Sequence, residues 1–268
     1  MTGEDPVVSG FSTTKPNVAR MYDYFLGGKD NFAADRTAAA EIVRAAPYVR
    51  QRVQENREFL GRAVRHMANA GIRQFVDLGT GLPTQENVHH VAQRVSPGCR
   101  VVYVDNDPMV LAHGRALLAN RSDTVVIQAD LRDPEDVLAH RDLRRLIDLD
   151  EPVAVLMLAV LHFFPDTDGP EDVVAALAGR MARGSYMVIS HATAEKMAPD
   201  KLAKAVQTYA MTSAGSITPR SPERIAGFFE GFELLEPGVV PVARWRPDGT
   251  PRLDPPGPIF LGGVARKP

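Results

Sequence analysis

The sequence predicts an α/β protein: a doubly wound, mostly parallel sheet with helices on both faces. Three observations predict it. Five short segments between residues 72 and 191 are apolar almost throughout, as strands buried on both faces must be. They recur about every 25 residues, the length that a βαβ crossover needs. The connections carry helix-start signals: Asp107-Pro108, Asp133-Pro134 and Ser221-Pro222 each place a capping side chain before a proline at the first helical position.

The first seventy residues read as helical. Thr14-Lys15-Pro16 opens a short helix with Val18, Met21, Tyr22 and Phe25 on one face, and Gly27-Gly28 ends it. A second helix spans 33–46 and stops at Pro47. A long third helix spans 48–70, closed by Gly71, with Val49, Val53, Leu60, Val64 and Met67 as its apolar stripe. Asn56 interrupts that stripe. A polar amide in a buried stripe must find partners, either in the backbone or in a ligand. The strands follow at 75–78, 100–104, 125–128, 153–161 and 185–190, so that the fourth and fifth end in His162 and His191. After a helix at 221–230, segments 231–235 and 259–264 read as closing strands. Between them lie seven prolines and the sole tryptophan, Trp245, a packing anchor in an extended hairpin or ordered loop, since proline is excluded from central strands. The organisation expected is one domain over 1–268: a helical cap at 1–71, an α/β core at 72–191 and a closing segment at 192–268.

Composition narrows the class. Among 268 residues, 31 Lys and Arg nearly cancel 33 Asp and Glu, so there is no positive excess to hold nucleic acid or an anionic membrane. The one cysteine, Cys99, excludes an intramolecular disulfide framework and fits a reducing cytoplasm. The longest apolar run, 153–161, is about half of a bilayer span. The first ten residues lack the basic and apolar regions of a signal peptide. A cytoplasmic enzyme or ligand binder is expected, with its oligomeric state open.

The chemistry concentrates at the strand ends. In FVDLGTGLPT (75–84), a strand ends in Asp77 and is followed by Gly79, Thr80 and Gly81, with Thr84 available to cap the next helix. Glycines there let backbone approach a ligand, and a helix N-terminus offers N–H donors. A dinucleotide fold has a third glycine where Thr84 stands and an apolar residue where Asp77 stands. An acid at Asp77 suits a ligand with an amino group, such as the amino-acid end of S-adenosylmethionine (SAM). The second strand ends in Asp105, which can accept both ribose hydroxyls; Asn106 and Asp107 follow it, bordering the adenine pocket. The third ends near Asp130 and Leu131, where a carboxylate and a backbone N–H can read adenine. Asp133 caps the next helix, which leaves Asp130 for that task. Ala159, within the fourth apolar segment, is a further cofactor-binding candidate. His162 and His191 are the candidates for deprotonating a methyl acceptor. His89-His90 point apart on a helix, so no metal site is expected.

KPNVARMYDYFLGGKDNFAADR (15–36), the segment 55–89 containing DLGTGLPT, VVYVDNDPMVLAHGRALL (101–118) and the segment 220–248 resemble actinobacterial SAM-dependent methyltransferases first catalogued as a domain of unknown function. The resemblance implies a Rossmann-like methyltransferase fold, with a mostly parallel seven-stranded sheet whose last strand is antiparallel. It supplies no substrate. Pro83 stands where most methyltransferases have a third glycine, and the resembled family shares it. On this reading Asp77 and Gly79–Gly81 take the methionine end, Asp105 the ribose, and Asp130 with Leu131 the adenine. Arg57, beside Asn56, pairs with the methionine carboxylate. Tyr22 to Gly28 caps the cofactor, with Gly27 and Gly28 as a hinge. No Asp-Pro-Pro-Tyr-like motif follows the fourth strand, and Asp254-Pro255-Pro256-Gly257 in the proline-rich tail reads as coincidence. A small-molecule methyl acceptor is expected, with no nucleic acid, membrane or metal. A SAM binder without catalysis and an NAD-dependent oxidoreductase are the alternatives.

Overall fold

The structure is a computed structural model describing residues 12–83, 86–119, 121–195, 197–250 and 259–268. Three helices come first: α1 (Val18–Phe25), α2 (Ala33–Ala45) and α3 (Val49–Asn69). An alternating core follows: β1 (Gln74–Leu78), α4 (Val88–Val95), β2 (Arg100–Asp105), α5 (Pro108–Leu118), β3 (Thr124–Gln128), α6 (Pro134–Ala139), α7 (Arg141–Leu146), β4 (Ala154–Leu158), α8 (Pro170–Arg180) and β5 (Tyr186–Thr193). The chain closes with α9 (Pro199–Ala210), α10 (Pro222–Gly227), β6 (Glu233–Leu234), β7 (Val240–Pro241) and β8 (Ile259–Arg266). The sheet order is β3-β2-β1-β4-β5-β8-β6. The pairs among β1 to β5 are parallel, and β8 runs against β5, β6 and β7. The seven-strand path is therefore present, with the two-residue β7 as an eighth strand on β8.

Strand alternation sorts the core into two layers. Val76, Leu78, Val102, Val104, Val155 and Met157 face one side, against α6, α7 and α8. Phe75, Val101, Tyr103, Ala154 and Leu156 face the other, against α3 and α4. Trp245 is fully buried in the second layer, edge-on to Phe59 at 5.5 Å. Arg62 of α3 donates to the carbonyls of Trp245 (2.9 Å) and Val242 (2.6 Å), so the proline-rich segment is fastened to the long helix.

Several boundaries differ from expectation, each for a local reason. β4 stops at Leu158 because Ala159 turns the chain with φ +54, and Leu161–Phe163 then forms a 3-10 turn. His162 sits in that turn rather than at a strand end. β5 continues past His191 to Thr193, carried by its full antiparallel register with β8. β6 shrinks to two residues. The helix after Gly81 starts at Val88, with Asn87 in the cap position. The expected cap Thr84 and the Asp254-Pro255-Pro256-Gly257 stretch lie outside the described residues.

The N-terminal helices are anchored by buried polar groups. Asn17 caps α1, its Oδ1 accepting from the Arg20 N–H at 3.1 Å. Asp35 of α2 accepts from the Arg20 Nε (2.7 Å) and from the backbone N–H groups of Asn17 (2.9 Å) and Phe32 (2.8 Å). Arg20 and Asp35 are both almost fully buried. Met21, Phe25, Ala39 and Ile42 then pack together, with Ala205 of α9 alongside.

Breaking this pair leaves a buried carboxylate without its cation, which costs about 3–5 kcal/mol. Arg20→Leu is expected to lower the melting temperature strongly in calorimetry. A transition unchanged from the parent would show that the pair does not secure α1 to α2.

Candidate functional site

The carboxyl edge of β1 to β4 forms the floor of a cavity of about 460 Å³, roofed by α1, the start of α3 and the end of α9. Ligands of open α/β sheets bind at this edge. The floor is shaped where β1 ends. Gly79 and Gly81 have φ +72 and +64, and a Cβ at Gly79 would lie 2.5 Å from the Val160 side chain, so only glycine fits there. The Val104 carbonyl accepts from the N–H groups of Gly79 (2.8 Å) and Thr80 (3.2 Å). The Asp105 carboxylate accepts from the N–H groups of Gly81 (2.8 Å) and Asp107 (3.0 Å).

Asp77, Gly79, Thr80, Gly81, Asp105, Asn106, Asp107, Asp130, Leu131 and Ala159 all line this cavity. Asp77 is buried and accepts from the Thr80 hydroxyl at 3.1 Å. Desolvation lifts its carboxyl to about 6, against the pull of the Arg57 charge. Desolvation lifts Asp105 to about 6 as well, although the N–H groups of Asp107 and Gly81 favour its ionised form. Both carboxylates are thus poorly solvated and suited to a partner that brings positive charge or hydroxyl donors. Asp107 spends one oxygen capping α5 at the Met109 N–H (2.8 Å), while the other accepts from the Asn17 Nδ2 (2.5 Å). Asp130 engages one oxygen locally: its Oδ1 accepts from the Arg132 N–H (2.9 Å) and lies 3.3 Å from the Arg132 Nε. Asp133 caps α6 as expected.

Tyr22, Asn56 and Arg57 line the roof. Asn56 Nδ2 donates to the Tyr22 hydroxyl (3.0 Å), which donates to the Val53 carbonyl (3.3 Å). Asn56 Oδ1 is buried with no hydrogen-bond partner, in the wall of a cavity. A buried acceptor without a donor is costly, so this atom fits a ligand N–H. Arg57 Nη2 donates to Asn87 Oδ1 at 2.7 Å.

Three sequence expectations fail on geometry. Gly27 and Gly28 do not line the cavity. Gly27 terminates α1 at φ +83, and a Cβ on Gly28 would strike the Asp23 carboxylate at 1.9 Å, so these glycines serve the turn itself. His191 does not line it either. Its Nδ1 lies 2.8 Å from the Ala192 carbonyl and its Nε2 2.9 Å from Arg220 Nη1, so both nitrogens are engaged and it has no reach to an acceptor. His89 and His90 lie closer than expected, with ring centroids 4.0 Å apart, while His89 Nδ1 meets the Tyr103 hydroxyl at 2.7 Å. His162 does line the cavity, among Phe163, Tyr209 and Phe260. Those aromatic residues escaped sequence reading because they come from three distant segments, as did Asn17 at the roof's hinge with the floor.

A parallel sheet in the order 3-2-1-4-5, with an acid at the end of each of its first two strands and a glycine turn between them, defines a nucleoside-binding α/β enzyme of the methyltransferase type. The family described as S-adenosyl methyltransferase matches residues 6–268, and the chain belongs to it; SAM is its cofactor. It is 40% identical to a DUF574 family protein from Streptomyces avermitilis, with 96% of this chain and 99% of that one covered and a TM-score of 0.87. It is 44% identical to a putative methyltransferase from Thermobifida fusca, with 95% and 96% covered and a TM-score of 0.88. Ornithine lipid N-methyltransferase of Singulisphaera acidiphila is 30% identical over 126 residues, 47% of this chain and 58% of that relative. The chain thus spans little more than half the length of that curated relative. Family membership sets aside the NAD-dependent reading and the non-catalytic one. Among the described residues no helix is long and apolar enough to cross a membrane.

The Asp77 carboxyl binds its proton more tightly folded, at about 6, than at its ordinary value of 3.8. Its ionisation therefore costs stability as pH rises from about 4 through 6. Asp77→Asn removes that cost, so the melting temperature of the ligand-free variant should gain on the parent between pH 4.5 and 7.5. A difference that stays constant with pH would contradict a desolvated carboxyl there.

Proposed function

We propose that this chain transfers the methyl group of SAM to a small, largely apolar molecule bound between the roof helices and the turn after β4. The observation that carries the reading is the division of the cavity into a polar half and an apolar half. The ends of β1, β2 and β3 supply the carboxylates and glycine backbone, whereas Leu158, Phe163, Tyr209 and Phe260 line the side next to β4 and β8. Small-molecule sites take this form, an apolar wall with few polar groups. The near balance of 31 cationic against 33 acidic residues disfavours a nucleic-acid acceptor.

SAM supplies a methyl group on a sulfonium, a leaving group that needs no further activation. What the protein contributes is position, desolvation and orientation. Asp77 with the unpaired Asn56 Oδ1 receives the ammonium end, and Arg57 lies beside them for the carboxylate. Asp105 receives the ribose hydroxyls, and its bonds to Gly81 and Asp107 hold its oxygens in place. The Leu131 backbone and the Asp130 side chain, steadied by Arg132, border the adenine. Tyr22 and the rest of α1 exclude water from above. The partial likeness to an enzyme named for an ornithine lipid favours a second reading, an acceptor carrying an acyl chain, which the same apolar wall accommodates.

Asp105→Ala is expected to weaken SAM binding at least tenfold in titration calorimetry, about 1.4 kcal/mol. Affinity equal to the parent's would remove Asp105 from the ribose site. Incubating the parent with radiolabelled SAM and a panel of neutral aromatic and acyl acceptors tests the substrate class. Methylation confined to nucleic acid or to highly charged acceptors would overturn it.

A further inference from the structure

Next to the apolar half of the cavity, one side chain has its protonation set by its surroundings. The Ala192 N–H of β5 approaches His162 Nδ1 at 3.4 Å. A backbone amide can only donate, so Nδ1 must offer its lone pair. The ring is buried, with the His191 ring centroid 5.5 Å away. His191 in turn takes a donor from Arg220, which also donates to the Leu161 carbonyl (3.0 Å) and the Phe164 carbonyl (2.9 Å), on either side of His162. Burial, His191 and the Arg220 cation all push the His162 pKa well below its usual value. Of the groups that act on the ring, His191 and Arg220 disfavour an imidazolium, and the Arg220 cation is itself paired with the Asp166 carboxylate at 2.8 Å.

A neutral ring with Nδ1 as acceptor carries its proton on Nε2. No residue among those described accepts that proton, although the ring lines the cavity. A base at this place would need the opposite tautomer, with a free lone pair on the nitrogen that meets the acceptor.

We propose that His162 is a hydrogen-bond donor to the methyl acceptor through Nε2–H, and that the acceptor therefore carries a carbonyl, ether or similar lone-pair oxygen or nitrogen where it meets this turn. The inference rests on the reading that the acceptor lies against the β4 turn. It differs from the expectation that this histidine removes a proton: the donor fixes the pose of the acceptor and takes no proton from it. Phe163 and Phe260, whose ring centroids lie 4.4 and 5.9 Å from that of His162, supply flat apolar surface beside the donor. Phe163 in turn meets Tyr209 at 5.7 Å. Together they suit an unsaturated or aromatic acceptor with one accepting atom.

The test uses the full chain labelled with 15N-histidine, both without ligand and saturated with S-adenosylhomocysteine, with His162 assigned from the His162→Gln spectrum. Long-range 1H–15N correlations should show Nδ1 unprotonated and Nε2 protonated from pH 6 to 8. The Nδ1–H tautomer, or a ring that titrates in that range, would overturn the proposal. Acetophenone and its isostere α-methylstyrene then probe the donor. Acetophenone should bind at least about fivefold more tightly than the hydrocarbon to the parent and to His162→Gln, whose side-chain amide keeps an N–H donor there. The preference should vanish in His162→Leu while cofactor-product affinity stays within about twofold. Equal affinity of the parent for the two probes, or no binding of the ketone, refutes the donor role. Calorimetry with S-adenosylhomocysteine on the same samples judges the cofactor cleft separately, because the tautomer is read with or without that ligand.

Discussion

The cavity depends on one exchange of hydrogen bonds between the ends of β1 and β2. The Val104 carbonyl holds the N–H groups of Gly79 and Thr80, and the Asp105 carboxylate holds those of Gly81 and Asp107. These bonds bend the chain after β1 into the left-handed conformation that opens the floor, and they fix the entry of α5 through Asp107. From Asp107 the connection continues upward. Asn17 donates to it and to the Ser213 hydroxyl at 2.8 Å, so floor, roof and the segment after α9 meet at one amide. Asn17 is also the cap of α1 and a backbone donor to Asp35. The roof is thereby placed over the floor by polar groups, whose geometry is directional, rather than by apolar packing alone.

The same groups give the cavity an uneven electrostatic character. Its floor holds two carboxyls raised towards neutrality, and its roof holds an amide oxygen with no donor. Each costs stability in the ligand-free protein, and each is relieved by a ligand bearing an ammonium and hydroxyl groups. The apolar half contains a neutral histidine held in one tautomer by β5. On the proposed function, recognition of the cofactor falls mainly to the ends of β1 and β2, and selection of the acceptor to the turn after β4.

Much of this was legible in the sequence wherever a local pattern determines the structure. The glycine turn after Asp77, the acid ending β2 and the proline-marked helix starts are each set by neighbours within a few residues. Asn56 was visible as a polar break in an apolar stripe, though not its pairing with Tyr22 across 34 positions. His191 misled because strand alternation turns the side chain with every residue, and β5 runs longer than its apolar segment. Gly27 and Gly28 misled because a glycine reports a backbone need without saying whether a ligand or a turn creates it. Phe163, Tyr209 and Phe260 carry no local signal; only the antiparallel return of β8 and the approach of α9 bring them together. Asn17 and Arg220 are legible only once the partners they hold are in place.

The most direct test of the account is a crystal structure of this protein with S-adenosylhomocysteine. It should place the ribose hydroxyls within hydrogen-bond distance of Asp105, the amino group at Asp77 and Asn56 Oδ1, and the sulfur facing the Phe163, Tyr209 and Phe260 side. A nucleoside that binds away from Asp105, or a sulfur pointing away from those aromatic residues, would contradict it.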